Sequence, residues 1–188
     1  MTRVIAGTAG GQRLLTPRGR ATRPTSDRVR EALFSRLEHL GALEQATVLD
    51  LYCGSGALGL EAASRGAARV VLVDQNRAAG EAARANAATL RRAGVDSEVE
   101  IRQDSVARFL AGPALTHPVD LALIDPPYDL PEQDLHEVLA LLLPWLAPQA
   151  LVVVERSARS AAPDWPPPLR PADDRRYGET RIWFAQAP

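Results

Sequence analysis

Four carboxylates are spaced along the middle of the chain beside short apolar runs. Asp50 lies inside VLDLY, Asp74 closes ARVVLV, Asp104 follows EVEIRQ and Asp125 closes VDLALI. Directly after the first run comes Gly54-Ser55-Gly56-Ala57-Leu58-Gly59, where glycines allow a tight turn and close approach of a ligand to the backbone. Asp74 stands twenty residues after Gly54, a position from which a carboxylate can accept from ribose hydroxyls. Asp50 occupies a strand position that dinucleotide folds usually fill with an apolar residue, so it suits a cationic ligand better than a pyrophosphate. Asp104 is suited to an adenine amino group. The candidate cofactor contacts are Asp50, Gly54, Ser55, Gly56, Asp74 with Gln75 beside it, and Asp104 with Ser105. The fourth acid opens Asp125-Pro126-Pro127-Tyr128. Adjacent prolines can neither extend a hydrogen-bonded ladder nor sit inside a helix. The strand therefore ends on an acid, two rigid residues and a ring, although a plain turn over a buried tyrosine would use the same residues.

The elements that must position these groups can be read from periodicity. RVIAGTAGGQRLLT has two apolar runs around a glycine-rich turn and reads as a hairpin. A basic loop follows, PRGRATRPT. SDRVREALFSRLEHL then places Val29, Ala32, Leu33, Leu37 and Leu40 at helical spacing, with Ser26 or Asp27 as N-cap. From residue 47 the pattern alternates. Strands are expected over 47–52, 68–74, 98–104, 119–125 and 150–155, and helices over 57–66, 77–94, 105–111 and 132–146. Residues 163–171 hold five prolines and read as loop, and RRYGETRIWFAQ reads as a closing hairpin around Gly178-Glu179. Strand–helix alternation implies a parallel sheet covered on both faces. The expected class is α/β and Rossmann-like: a mostly parallel seven-stranded sheet, a C-terminal antiparallel hairpin, and a short N-terminal β-hairpin and helix. One domain is expected over 1–188, with residues 1–45 as a basic extension and 46–188 as the core.

Composition narrows the function classes. Of 188 residues 46% are hydrophobic and 24% charged, enough for a real core and unlike a disordered tail. The single cysteine, Cys53, excludes an internal disulfide and a cysteine-based zinc site and fits a reducing cytosol. Beside Gly54 it reads as a small buried residue and not as a nucleophile. His39, His117 and His136 lack metal spacing, so no metal is expected. No apolar run approaches membrane-spanning length. The arginine-rich start is not an amphipathic presequence, and a cytoplasmic protein is expected. The net charge of −1 conceals a polarity: residues 1–30 carry seven arginines against Asp27, which is +6, leaving −7 for the remainder. Such segregation is an electrostatic footprint for nucleic acid. The chain has no lysine, so the argument rests on charge placement and not on arginine identity.

Acids along one crevice, at the carboxyl ends of successive strands beside a glycine loop, resemble the class I S-adenosylmethionine-dependent methyltransferases. DPPY resembles the (D/N)PP(Y/F) motif of enzymes that methylate exocyclic amino groups of bases. In that chemistry the Asp125 carboxylate and the Pro126 carbonyl each accept one N–H bond from a poorly nucleophilic nitrogen. Pro126 and Pro127 lock the acceptors in place, and Tyr128 offers a face on which an unstacked base can rest. The resemblance becomes more specific in RVIAGTAGGQRLLTP, TRPTSDRVREALFSRL, LDLYCGSGALGLEAASRGA, DPPY and RYGETRIWF. Together, in order over nearly the whole chain, these are similar to the bacterial 16S ribosomal RNA guanine-966 N2-methyltransferase family. The resemblance implies S-adenosyl-L-methionine as cofactor and 16S rRNA or a small-subunit assembly particle as partner; a monomer is expected. The resemblance also implies RNA contacts at Arg13, Arg18, Arg20, Arg23, Thr25 and Arg28. Three rival readings stay open: an amino-methyltransferase for adenine or cytosine in DNA or another RNA, disfavoured by the lack of room for a recognition domain; a nicotinamide-dependent oxidoreductase; and a nonenzymatic RNA-binding assembly factor.

Overall fold

The computed structural model describes residues 2–17, 27–114 and 116–188. The expected alternation is present. In chain order come α1 (Asp27–His39), β1 (Thr47–Leu51), α2 (Ala57–Ser64), β2 (Arg69–Val73), α3 (Arg77–Arg92), β3 (Glu98–Arg102), α4 (Val106–Leu110), β4 (Val119–Ile124) and α5 (Glu132–Leu142). A 3-10 turn (Leu143–Trp145) leads into β5 (Leu146–Ser157), followed by β6 (Arg170–Tyr177) and β7 (Thr180–Gln186). The seven strands form one sheet in the order β3-β2-β1-β4-β5-β7-β6. The first five strands pair in parallel, and β7 runs antiparallel to both β5 and β6. The chain order reverses between β1 and β4, and such a switch point opens a crevice at the strands' carboxyl ends. This is the doubly wound, Rossmann-like architecture expected from the alternation. Among the described residues, no helix is long and apolar enough to cross a membrane.

Each face of the sheet has its own core, as the two-residue period of strands requires. Val48, Val70, Leu72, Leu121, Leu123 and Val153 face α1, α2 and α3, whereas Leu49, Leu51, Val71, Val73, Ile124 and Val154 face α4 and α5. Asp50 alternates with Leu49 and Leu51, so its side chain enters the α2–α3 side of the sheet.

Several boundaries differ from the sequence reading. The N-terminal hairpin is minimal: one antiparallel bridge, Arg3–Arg13. Val4 N donates to Gln12 O, Gly11 N to Val4 O and Leu14 N to Thr2 O, each at 2.9 Å, while amides between them are used on α2. Glu61 accepts from Ile5 N (2.7 Å) and Ala6 N (3.0 Å), and Ser64 Oγ accepts from Ala9 N (2.9 Å). Gly7 sits at φ 77°, where a Cβ would come 1.9 Å from the Ser64 carbonyl oxygen, so no other residue fits that approach. In α1 the buried face is Val29, Arg30, Leu33, Phe34 and Leu37. Leu40 lies beyond the helix and is exposed. The helix expected over 132–146 stops at Leu142, because Pro144 in the following 3-10 turn supplies no amide donor. Arg170 and Pro171, expected in the proline-rich loop, begin β6. A proline is tolerated there because β6 is an edge strand with a register shift between Pro171 and Asp173. The proposed N-cap Ser26 lies outside the described residues.

The fully buried Glu61 joins the extension to the core: besides Ile5 and Ala6 it accepts from Arg65 Nε at 2.7 Å. Glu61→Ala is expected to destabilise the protein by about 3 kcal/mol, since it leaves two part-buried amides without an acceptor and Arg65 with Glu38 alone of its two carboxylate partners. Urea unfolding would show the lowered midpoint, and limited proteolysis would show cleavage gained first within residues 2–17.

Candidate active site

The strand registers place the acids in one row. Val154, Ile124, Leu51, Val73 and Arg102 are partners across β5, β4, β1, β2 and β3. The next residue along is Glu155, Asp125, Tyr52, Asp74 and Gln103 respectively, and Asp104 follows one step later. Parallel pairing in register therefore carries Asp74, Asp104 and Asp125 to one sheet edge, as expected.

The glycine loop is built on this edge. Gly54 and Gly56 have φ 55° and 80°, left-handed conformations that glycine adopts without a Cβ penalty. Cys53 N donates to Val73 O at 3.1 Å and Gly54 N to Asp74 Oδ2 at 2.9 Å, so β2 holds the start of the loop. At Gly59 a Cβ would lie 2.4 Å from Leu72 Cδ2. The third glycine is therefore a packing requirement between α2 and β2. Gly59 N donates to Asp50 Oδ2 at 2.8 Å.

Asp50 is fully buried, and among the described residues its Oδ1 accepts no hydrogen bond. Burial pushes its carboxyl up to about 7, the Gly59 amide opposes that shift, and Asp74 adds to it. A buried acceptor without a donor is costly, and the orphaned oxygen lies beneath the glycine loop. It fits a cationic or N–H-bearing ligand and opposes a pyrophosphate. Asp74 is half-buried; its Oδ1 accepts from Asn76 N at 2.8 Å while Oδ2 holds Gly54. Each carboxylate oxygen has a further lone pair for a ligand hydroxyl. Gln75 is exposed beside it. Asp104 Oδ1 accepts from Ser105 N at 2.8 Å, and Ser105 caps α4 by accepting from Arg108 N at 3.3 Å.

Asp125 follows β4 directly, and Pro126 behind it is buried. Its carboxyl is held well above the usual carboxylate range, first by desolvation, then by Glu155 and then by Asp50. Pro127 is exposed, and its carbonyl accepts from Leu130 N at 3.0 Å. The turn is thus closed on Pro127, which acts as a rigid spacer. Arg156 of β5 braces the same turn, donating to Leu130 O at 3.0 Å and Glu132 Oε1 at 2.7 Å. Tyr128 is 62% exposed, so it is not the buried turn tyrosine of the plainer reading.

Four residues near this edge escaped the sequence reading. Glu155, buried on β5, ends an apolar run just as the other acids do, and that shared signal could have identified it. Tyr52 adopts φ 61° and packs on the α4–α5 side. Burial and Asp134 push its phenol up to about 12, opposed by Arg156. Arg156 and Asn86 carried no local motif. Cys53 is buried and its thiol is pushed well up by burial, which fits the packing role. His136 meets Asp164 at 3.0 Å on the surface. Of the expected RNA contacts, Arg13 and Arg28 are exposed. Arg18, Arg20, Arg23 and Thr25 lie outside the described residues. Arg30, one of the seven N-terminal arginines, is 1% exposed and donates to the carbonyl of Arg3 and to Asp27, so it is a structural cation.

Comparison with known proteins places this geometry. Residues 2–186 match the family described as "Conserved hypothetical protein 95". The chain is 36% identical over 166 residues to the ribosomal RNA small subunit methyltransferase D of Escherichia coli, covering 87% of this chain and 79% of that one. It superposes on the solved structure of yhhF from Escherichia coli with a TM-score of 0.84 and 33% identity, covering 99% and 97% of the two chains. Magnesium protoporphyrin IX methyltransferase of Synechocystis, at 15% identity and a TM-score of 0.67 over 86% of this chain and 79% of that one, shares the fold. The acid row, the glycine loop and the DPPY turn thus sit in a class I methyltransferase fold, and the chain belongs to the Conserved hypothetical protein 95 family, as a relative of the bacterial small-subunit ribosomal RNA methyltransferases D.

Proposed function

We propose that the protein methylates the exocyclic N2 of a guanine in 16S ribosomal RNA, on the assembling small subunit, as a monomer in the cytoplasm. The observation that carries the reaction class is the placement of Asp125-Pro126 and the exposed Tyr128 on the sheet edge that also holds the orphaned Asp50 oxygen. S-adenosylmethionine supplies an electrophilic methyl group when bound. Its positive charges suit the acidic edge: Asp50 would face its cationic part, Gly54, Ser55 and Gly56 would pass close to it, and Asp74 with Gln75 would take ribose hydroxyls. Asp104 with Ser105 would lie against the adenine amino group.

On the substrate side, Asp125 and the Pro126 carbonyl each accept a hydrogen bond from one amino N–H and direct the nitrogen lone pair out of the base plane. Tyr128 stacks on the flipped base. Arg13 and Arg28, with Arg18, Arg20, Arg23 and Thr25, hold the phosphate backbone, and affinity falls steeply with salt. The ribosomal substrate is supported by the 36% identity to small-subunit ribosomal RNA methyltransferase D. Guanine N2 is supported by the family resemblance of the motifs. The test is radiolabelled methyl transfer to unmethylated small subunits, naked 16S rRNA and DNA, followed by nucleoside analysis. The expected product is N2-methylguanosine in ribosomal RNA. Label confined to DNA, or found on adenine or cytosine, overturns the substrate assignment.

A further inference from the structure

Asn86 lies in the middle of α3 on a buried stripe otherwise made of Ala79, Gly80, Ala82, Ala83, Ala87 and Leu90. A polar side chain 1% exposed among alanines needs a reason, because burying an amide is costly unless every polar group is satisfied. Here all are. Oδ1 accepts from Leu15 N at 2.8 Å, while Nδ2 donates to Leu15 O at 2.9 Å and to Ser55 O at 2.9 Å. Two carbonyls on one side and an amide N–H on the other leave a single orientation for the side chain. One residue thus clamps the backbone of the N-terminal arm with a pair of bonds and reaches the cofactor loop with a third.

Both ends of this bracket matter. Ser55 stands between the two left-handed glycines, and its neighbour Gly54 is held by Asp74. Leu15 has a side chain that is 61% exposed, so that residue is held by its backbone and not by side-chain burial. Three residues further on begins the segment with Arg18, Arg20, Arg23 and Thr25. The structure assigns Asn86 as a positioning residue that couples the glycine loop to the N-terminal arm, so that cofactor and RNA bind cooperatively. A ligand that fixes the Ser55 peptide fixes the Asn86 amide, and the same amide fixes Leu15, two residues after the exposed Arg13. The reverse holds with equal strength, because coupling between two binding sites is reciprocal. The inference rests on the proposed reading of the loop as the cofactor site and of the basic segment as RNA-binding.

The test compares the wild type with Asn86→Ala and with the milder Asn86→Asp, which keeps the acceptor for Leu15 N–H and loses both donated bonds. S-adenosylhomocysteine is the probe. Hydrogen exchange is followed in the peptide spanning 12–17 with and without it, and the affinity for a 16S rRNA fragment is measured in both conditions. In the wild type the probe is expected to slow exchange at Leu15 and tighten RNA binding, each by about fivefold or more. In both variants the two ratios are expected to fall to within about twofold of one, although each ligand still binds singly. A residue that merely stabilised the fold would lower Tm and leave the ratios unchanged. Wild-type ratios of one, or variant ratios equal to the wild type, overturn the coupling alone. Protection of Leu15 by the probe without any RNA binding upholds the bracket and sinks the RNA reading. Failure of the probe to bind sinks both.

Discussion

Asp125→Ala is expected to lower methyl transfer by on the order of 10²–10³-fold while S-adenosylmethionine affinity, measured by calorimetry, stays within about threefold of the wild type. A preorganised polar group aimed at the reacting centre contributes about 3–4 kcal/mol, and alanine removes one of the two acceptors proposed to orient the amino nitrogen. Asp125→Asn is the sharper probe. An amide oxygen still accepts a hydrogen bond, so much of the rate is expected to survive, but an amide does not titrate. Burial, Glu155 and Asp50 hold the Asp125 carboxyl well above the ordinary range. As pH falls through that raised value the acid acquires a proton and presents a donor where the substrate also presents one. The wild type is therefore expected to show an acid limb displaced upward from the usual carboxylate range. The limb disappears in Asp125→Asn and moves to lower pH in Glu155→Gln, which removes one source of the upward shift. Single-turnover rates across pH 5–9 check all three; a limb unchanged in Asp125→Asn assigns the titration to another group.

Asp50→Asn is expected to stabilise the cofactor-free protein while weakening cofactor binding. The Asp50 carboxyl lies at about 7 in the folded state, against roughly 3.9 for an unperturbed aspartate. A carboxyl raised on folding contributes its stability below the unfolded value and loses it as pH climbs through the folded one. The wild type therefore loses about 1.4 kcal/mol per pH unit from this group between roughly pH 4 and 7, and little more above. Asparagine keeps an acceptor for Gly59 N–H and carries no charge to desolvate. Its advantage over the wild type should grow across that window, reaching on the order of 2–4 kcal/mol at pH 8, and urea unfolding at pH 5 and pH 8 measures the difference. Cofactor affinity should fall about 10–100-fold, the loss of one charge-assisted contact. Asp50 would then be a site where stability is given up for ligand binding. A variant with the stability–pH profile of the wild type would show that Asp50 is ionised at no cost.

Much of this was legible without coordinates, and the reason is local. Strand and helix periods, glycines after β1 and acids closing apolar runs are read from neighbouring residues. The parallel order then follows from alternation alone, and register carries Asp74, Asp104 and Asp125 to one edge. Local pattern was weaker where a partner far along the chain decides the outcome. The amides of Ile5, Ala6 and Ala9 leave the N-terminal hairpin's ladder because Glu61 and Ser64, more than fifty residues away, take them. Arg170 and Pro171 join a strand because β7 lies beside them at an edge that tolerates proline. Arg30 belongs to a basic run by sequence, but helical phase turns it inward to Asp27 and the Arg3 carbonyl.

By itself the sequence determined the fold class, the glycine loop and the DPPY turn, since each is written in consecutive residues whose conformational limits are local. Only the tertiary structure decided how the side chains share the site. It left one Asp50 oxygen without a donor, set Glu155 beside Asp125, closed the turn through Pro127 and Arg156, and joined Leu15 to Ser55 through Asn86. Each of those depends on burial and on contacts between segments as far as 24 to 71 residues apart, and neither quantity is encoded in any short stretch of chain.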